Sequence, residues 1–416
     1  MATSKTVILG TGIIGLSTAY YLSDSISPSS IHLVDPSPEL FASASGRAAG
    51  FLAKDWFSSP LAALGALSFE EHKRLAEKEN GRENWGYMRS TGVSYTPGLT
   101  GGRRTKRERG EDWLRQDASR ADAANESVSE LLAGNEEEAG PRWLSRSEGD
   151  AMELIGEQGT TAQVDPLRLC QFLLKSCLDR GVQLHHPARA ISVGKDMRDE
   201  LSSIRILNTD TQAVTDIPCT KILISAGAWS PQVFSALFPD SRTGLPISSL
   251  AGHSIVVRSQ KWSKEHEEQG CHAVFTTDSS GYSPEIFSRM GEEIYIAGLN
   301  SSVIPLPKLA TESELNQRSI DTLKKTAERL LGADGFEVVR EGLCFRPVTN
   351  RGTPVLSRIE DAKLGNISTR GNEGGGVWLA AGHGPWGITN SLGTGKVMSE
   401  MIMRKKTSVD ISGLGL

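Results

Sequence analysis

The chain has 416 residues, 38% of them hydrophobic and 23% charged, with a net charge of −5 at pH 7. That length buries two substantial cores, and the acidic balance excludes the basic field that nucleic-acid binding requires. Apolar runs fall short of the about 18 residues of a membrane span, and five cysteines without a C-x-x-C pair argue against a disulfide framework or a zinc site. The start lacks a charged-then-apolar secretory leader and the end is not a peroxisomal address, so the expected location is cytoplasmic.

The first predicted unit is a strand over 5–9, a helix over 13–23 and a strand over 30–34. Gly10, Gly12 and Gly15 between them fit Gly-x-Gly-x-x-Gly, and Asp35 follows Gly15 by about twenty residues. In such a unit Gly10 permits the tight turn, Gly12 lets backbone approach a pyrophosphate, and Gly15 lets helix and strand pack closely. The helix start, with the N–H groups of Ile13 and Ile14, favours phosphate, and Asp35 suits a ribose hydroxyl. The pattern specifies a dinucleotide and leaves open FAD or a nicotinamide.

Small residues dominate 41–51, including Ser45, Gly46, Arg47, Ala48, Ala49 and Gly50. So bare a backbone can lie against a flat ligand, or form a flexible loop. Ser68 and Glu71 form a capping-box pattern for a helix reaching about residue 80. Residues 98–140 are charged and poor in apolar side chains. Their basic run, Arg103 to Arg109, is interrupted by Glu108 and followed by Glu111, Asp112 and Asp117, which reads as a solvated surface insertion. Ser145 and Glu148 form another capping pattern. Asp165, Pro166 and Gly181 frame a helix whose apolar face carries Leu167, Cys170, Leu174, Cys177 and Leu178, and a strand follows over 182–185.

The unalternating run Ile222, Leu223 and Ile224 suits a parallel strand buried on both faces, ending in a small-residue turn at Ala226 and Gly227 beside Trp229. From about Phe234 the pattern becomes α+β. Short strands are predicted over 254–258, 273–277, 285–289 and 293–297, the last two joined by a hairpin at Met290, Gly291 and Glu292. A helix capped by Thr311 and Glu314 runs through Leu315, Ile320, Leu323 and Leu330 to a stop at Gly332. Strand-like segments 341–347 and 354–356 lead to a strand from 377, a glycine turn and a helix over 390–403. Leu392 to Lys396 is not a phosphate loop, because the first glycine of that motif is missing and Val397 follows the lysine.

The motifs at 7–15 with Asp35, 43–50, 164–166, 222–230, 284–298, 344–349 with 352–354, and 380–395 occur in this order over nearly the whole chain. In this the chain resembles the FAD-dependent amine and amino-acid oxidases, the family of D-amino-acid oxidase, glycine oxidase and monomeric sarcosine oxidase. The resemblance implies an α/β fold: a Rossmann-like FAD-binding domain (1–55, 145–233 and 341–416) interleaved with an α+β substrate domain on a mostly antiparallel sheet (56–144 and 234–340). The insertion at about 98–140 belongs to the second.

It also implies a reaction: oxidation of a C–N bond in a small amine or amino acid by hydride transfer to flavin, which O2 reoxidises to give H2O2. The alternatives are a flavin dehydrogenase with another acceptor, or an FAD-binding protein with a regulatory or trafficking role. Expected partners are the small-molecule substrate and O2, with no nucleic acid, membrane or metal. By the same resemblance Arg346 clamps a substrate carboxylate, His383 and Trp386 line the pocket, and Lys54 stands near the flavin to promote O2 reduction. The turn Gly384, Pro385, Trp386, Gly387, Ile388 and Thr389 holds the flavin ring edge, and Ser45 to Ala49 line the pyrophosphate and ring. Cys344 falls where some members bond the flavin covalently; a buried thiol beside non-covalent FAD is the favoured expectation.

Overall fold

The computed structural model describes residues 5–98, 120–124, 130–131, 140–276, 282–332 and 336–416. Its elements run β1 (Thr6–Leu9), α1 (Ile13–Ser23), β2 (Ile31–Val34), α2 (Ala44–Arg47), β3 (Phe51–Ala53), α3 (Ser59–Lys78), α4 (Gly81–Trp85), β4 (Met88–Thr96), β5 (Glu130–Leu131), β6 (Ala151–Gly156) and β7 (Thr161–Gln163). There follow α5 (Pro166–Arg180), β8 (Gln183–His185), β9 (Ala188–Lys195), β10 (Leu201–Asn208), β11 (Val214–Pro218), β12 (Lys221–Ile224), α6 (Ser230–Leu237), β13 (Ser248–Ser259), α7 (Lys264–Glu267), β14 (Cys271–Thr276) and β15 (Glu285–Arg289). The last are β16 (Glu293–Ser301), α8 (Gln317–Leu331), β17 (Phe336–Val348), β18 (Val355–Ile359), β19 (Gly376–Ala381) and α9 (Ser391–Ile402).

One sheet has the order β18-β19-β12-β1-β2-β8, parallel except for β18. Its central strands β1, β12 and β19 are mostly apolar because both faces are covered. Ile8, Leu33 and Leu223 point into a core with α1, α3, α5 and α9, while Val7, Leu9, Val34, Ile222 and Ile224 point into a second core. The antiparallel meander β9-β10-β11 contributes Leu201, Ile204, Ile206 and Ile217 to that second core. The helix stop signals read correctly at α5. Asp165 Oδ1 accepts from the backbone N–H of Leu167 and Arg168, and Gly181 closes the helix at φ +102. Cys170 and Cys177 are buried in the same core, unpaired as disulfides.

The second sheet runs β17-β13-β16-β15-β14-β4-β6-β5, with β3 and β7 attached beside β4. It is antiparallel except that β4 lies parallel to β14, so it is a mixed sheet. Alternation sorts its side chains. Ile286, Ile294 and Ile296 face α8, packing with Ile320, Leu323 and Leu330. Phe287, Tyr295 and Ala297 face the other way, toward Phe51, Trp56 and Trp386. By the same period Glu285 and Arg289 share the face of Phe287, the face turned to the first sheet's connections.

Three capping expectations are corrected. Ser68 lies inside α3, which begins at Ser59; its hydroxyl donates to Thr389 O (2.6 Å) and accepts from Gly393 N (2.9 Å), so the serine ties α3 to α9 instead of starting a helix. Ser145 starts no helix; the Asp150 carboxylate takes the nearby Ser147 N–H (2.8 Å). Asn316, whose Oδ1 accepts from Ser319 N (3.1 Å), caps α8, leaving Thr311, Glu314 and Leu315 outside it. Thr277 and most of 98–140, including the basic run, lie outside the described residues. Within the described part of that stretch, Arg120 and Ala121 are buried, which departs from a solvated insertion. No helix among the described residues is long and apolar enough to cross a membrane.

Candidate functional site

A cavity of about 820 Å³ lies between the two sheets, within the size range of cofactor sites. Its lining includes Gly10, Gly12, Ile13, Ile14 and Asp35 from the first βαβ unit. The chain turns off β1 at Gly10 (φ +101), where a Cβ would lie 2.6 Å from Ser225 O. A Cβ on Gly15 would lie 2.1 Å from Gly10 O, and one on Gly12 would lie 2.9 Å from Ser45 Oγ. Backbone atoms bar a side chain at Gly10 and Gly15, whereas at Gly12 a Cβ would have to displace the Ser45 hydroxyl from the start of α1. Ser45 Oγ accepts from Ile13 N (3.0 Å) at that start. Asp35 accepts from Thr11 N (2.8 Å) through Oδ2 and from Ser37 N (3.0 Å) through Oδ1. Burial pushes its carboxyl pKa up, against the pull of those two donors and of His186. A carboxylate so placed beside a glycine turn accepts from ribose hydroxyls, so these residues fit a dinucleotide.

From Ser43 to Gly50 the chain forms a strap along the cavity, and Ser45, Ala48, Ala49 and Gly50 line it. The second sheet clamps this strap through its backbone carbonyls. Fully buried Arg289 donates Nε to Ala49 O (3.0 Å) and Nη2 to Ala48 O (2.5 Å) and Ala49 O (2.6 Å). Gln163 Nε2 donates to Ala49 O (2.6 Å) and Tyr295 Oη to Arg47 O (3.1 Å). The Arg289 guanidinium also stacks over the Tyr295 ring at 4.7 Å.

Beyond the strap, β17 brings Cys344 and Arg346 to the cavity wall. The Arg346 guanidinium lies over Gly252, where a Cβ would be 2.0 Å from Nη1, and that nitrogen donates to Asn300 Oδ1 (2.6 Å). Its pKa is raised: burial opposes the charge, while Cys344, Tyr295 and Glu285 favour it. Beside it Arg120 Nη2 meets Glu285 Oε2 at 2.9 Å, both side chains buried. Burial pushes the Arg120 pKa down and Glu285 pushes it back up. Arg120 also sits 5.0 Å from the centre of the Trp386 ring.

The last wall is the glycine turn after β19. His383, Gly384, Pro385, Gly387 and Ile388 line the cavity. His383 Nε2 is 3.0 Å from Thr394 Oγ1, and burial lowers its pKa to about 3, so the ring is neutral. Thr389 Oγ1 donates to Phe51 O (2.8 Å), tying the turn to β3. Ala226, Gly227 and Trp229 also line the wall, with Trp229 Nε1 donating to Pro307 O (2.8 Å).

Of the residues singled out from the sequence, Gly15, Gly46, Arg47, Trp386 and Thr389 stand behind the wall, supporting it by packing or hydrogen bonds. Lys54 is not brought to the cavity; it pairs with Glu70 at 2.7 Å on the surface. Sequence reasoning passed over Arg120, Gln163, Glu285, Arg289 and Tyr295. Charged residues at both ends of an otherwise apolar strand, Glu285 and Arg289 around Phe287, were the available signal, because strand alternation puts all three on one face.

The family profile described as DAO, FAD dependent oxidoreductase, matches residues 5–401. A Schizosaccharomyces pombe protein described as an oxidoreductase is 27% identical over 422 residues, covering 95% of this chain and 93% of its own. D-amino acid dehydrogenase 2 of Pseudomonas aeruginosa is 29% identical over 203 residues, covering 48% of this chain and 40% of its own. The crystal structure of glycine oxidase from Geobacillus kaustophilus superposes with a TM-score of 0.72 at 19% identity, over 99% of this chain and 98% of that one, and so shares the fold.

Proposed function

We propose, from the premise that this chain belongs to the DAO family of FAD-dependent oxidoreductases, that it oxidises the C–N bond of a small amine bearing a carboxylate. One observation carries the reading. Arg346 is a half-buried guanidinium on the cavity wall whose hydrogen-bonded partner, Asn300, is neutral. A half-buried cation facing a cavity with no anion bonded to it is set to receive one, and a substrate carboxylate would meet its planar fork with two parallel hydrogen bonds.

Gly10, Gly12, the start of α1 and Asp35 would hold the adenosine diphosphate half of FAD. The strap Ala48–Gly50 and the turn Gly384–Ile388 would hold the ring. When bound, FAD would supply the hydride acceptor for the amine-bearing carbon, with O2 as the terminal oxidant giving H2O2. The protein's part is orientation. Arg346 fixes the carboxylate, the small residues of the strap admit a flat ring, and Phe51, Trp56 and Trp386 keep water from that side. His383, neutral and committed to Thr394, is a packing group and not a proton carrier.

The test uses the purified yellow protein. Small amino acids and N-methyl amino acids should bleach the flavin without air and yield H2O2 with air, whereas amines lacking a carboxylate should not. Bleaching by simple amines alone refutes the carboxylate clamp. A second reading, a dehydrogenase with another electron acceptor, is supported by the likeness to D-amino acid dehydrogenase 2. Bleaching that reverses with a quinone but not with air favours it. Acid precipitation should leave the colour in solution, as expected for FAD held without a bond to Cys344.

A further inference from the structure

We propose that Glu285 receives the amine of the substrate through Oε1, with Arg120 as its positioning residue, and that the site therefore takes primary and secondary amines. The inference rests on reading Arg346 as the carboxylate clamp.

Glu285 opens β15 and lines the cavity with Arg346 and Tyr295. Its two oxygens differ. Oε2 is engaged by Arg120 Nη2 at 2.9 Å, whereas Oε1 is buried and has no hydrogen-bond partner among the described residues. Buried carboxylate oxygens without donors are uncommon, and such an acceptor on a cavity wall calls for an N–H or O–H from the occupant. Glu285 and Arg346 both line the cavity, so the donor-seeking oxygen and the acceptor-seeking guanidinium belong to the same site. An amine and a carboxylate within one small molecule complement that pair. A substrate carboxylate supplies the anion that is not bonded to Arg346, and a neutral amine adds no charge beside it. The neutral amine is also the form from which hydride leaves readily, and its remaining N–H fills Oε1. A neutral tertiary amine has no N–H to offer.

Arg120 fixes the carboxylate from the opposite side. Its guanidinium is held between Glu285 and the ring of Trp386, whose backbone belongs to the turn lining the cavity. Arg120 is the described residue that brings the segment 120–124 to the site.

The test measures binding to the holoprotein by perturbation of its visible spectrum or by anaerobic bleaching. Each amino acid is paired with an amine-free isostere: N-methylglycine with methoxyacetate, and alanine with isobutyrate. The wild type should favour each amine by about tenfold, the worth of one good hydrogen bond. Glu285→Gln should lose that preference while keeping its affinity for the amine-free acids. A double change, Glu285→Met with Arg120→Met, removes the buried pair as a unit, which spares the fold the burden of one unpaired charge, and should show the same loss. An unchanged amine preference in either variant overturns the proposal, as does equal weakening of both members of a pair, the mark of a merely structural role. If wild type binds the amine-free acids but prefers no amine, the Arg346 reading stands and this one falls. If it binds neither member of a pair, both fall.

Discussion

Gly10, Gly12, Gly15 and Asp35 lie within one βαβ unit, whereas Arg120, the β15–β16 hairpin with Glu285 and Tyr295, and Arg346 come from three segments far apart in the chain. The first group is made by backbone. A turn, a helix start and a carboxylate tied to backbone N–H groups need nothing from outside the unit except Ser45 and Ser225. The second group is made by side chains that meet only after two sheets have formed and packed. The nucleotide end therefore tolerates no added atoms, while the reacting end should tolerate loss of a side chain and answer in substrate affinity.

The largest expected effect comes from adding a single carbon at the nucleotide end. The new methyl of Gly15→Ala falls 2.1 Å from Gly10 O, a backbone atom that cannot swing aside. Overpacking of this kind costs about 1–3 kcal/mol or more, and here it displaces the turn that meets the phosphates. Flavin retained after gel filtration should fall at least about tenfold. Full retention would mean the turn is softer than its contacts imply. Arg346→Ala is the counterpart at the other end. Flavin content should hold, and KM for carboxylate-bearing amines should rise by about 100-fold, the worth of roughly 2–3 kcal/mol in charge-assisted hydrogen bonds. A fall in kcat with unchanged KM would assign Arg346 to another task.

The same division decides what could be read from the sequence. The βαβ unit was legible because its signals are local: periodicity, glycine spacing and a terminal acid within thirty residues. Helix α5 was legible for the same reason, through Asp165, Pro166 and Gly181. The strands β13 to β16 were found close to their places, yet their pairing with β4 and β17 was not, since register depends on partners far along the chain. Arg289 illustrates the limit. Its three hydrogen bonds go to Ala48 and Ala49, about 240 residues away, and no pattern around residue 289 announces that. Ser68 shows the converse, a capping signature that tertiary contact with Thr389 and Gly393 put to a different use.

Arg289 joins the two ends, because the strap it holds runs between them. Arg289→Met should leave the Ala48 carbonyl without its donor and Ala49 O with Gln163 alone, and lower stability by about 1–3 kcal/mol in urea unfolding, with a parallel loss of flavin. Loss of stability without loss of flavin would show that the strap keeps its path through Gln163 and Tyr295 alone.

Acid should act through two buried histidines packed at the start of α9. The His383 pKa is lowered by burial to about 3, and that of His72, close to Ile388 O (3.0 Å), to about 4. In the unfolded chain each titrates near about 6.5. Below that pH the unfolded state takes up protons that the folded state refuses, so stability is whole above about pH 6.5 and declines toward pH 4, by at most about 1.4 kcal/mol per pH unit for each group. His383→Gln should flatten that decline and leave the pH dependence of turnover between about pH 6 and 9 unchanged in shape. A turnover pKa that disappears in this variant would make His383 a titrating member of the site.

The smallest effect is expected at Lys54, one residue beyond β3 and outside the cavity. Its ammonium meets Glu70 at 2.7 Å, with 39% of its side chain and 52% of the glutamate's exposed to solvent. Such a pair is screened and its long side chains lose rotamer freedom on pairing, so its worth is about 0–1 kcal/mol. Lys54→Met should shift stability by no more than that and leave the rate at which air reoxidises the reduced protein within about twofold of wild type. A drop of about 100-fold in that rate alone, with bleaching by substrate unchanged, would require the lysine to leave Glu70 and reach the flavin, a movement of β3 relative to α3. The reacting end would then include a surface residue that the packed structure keeps apart from it.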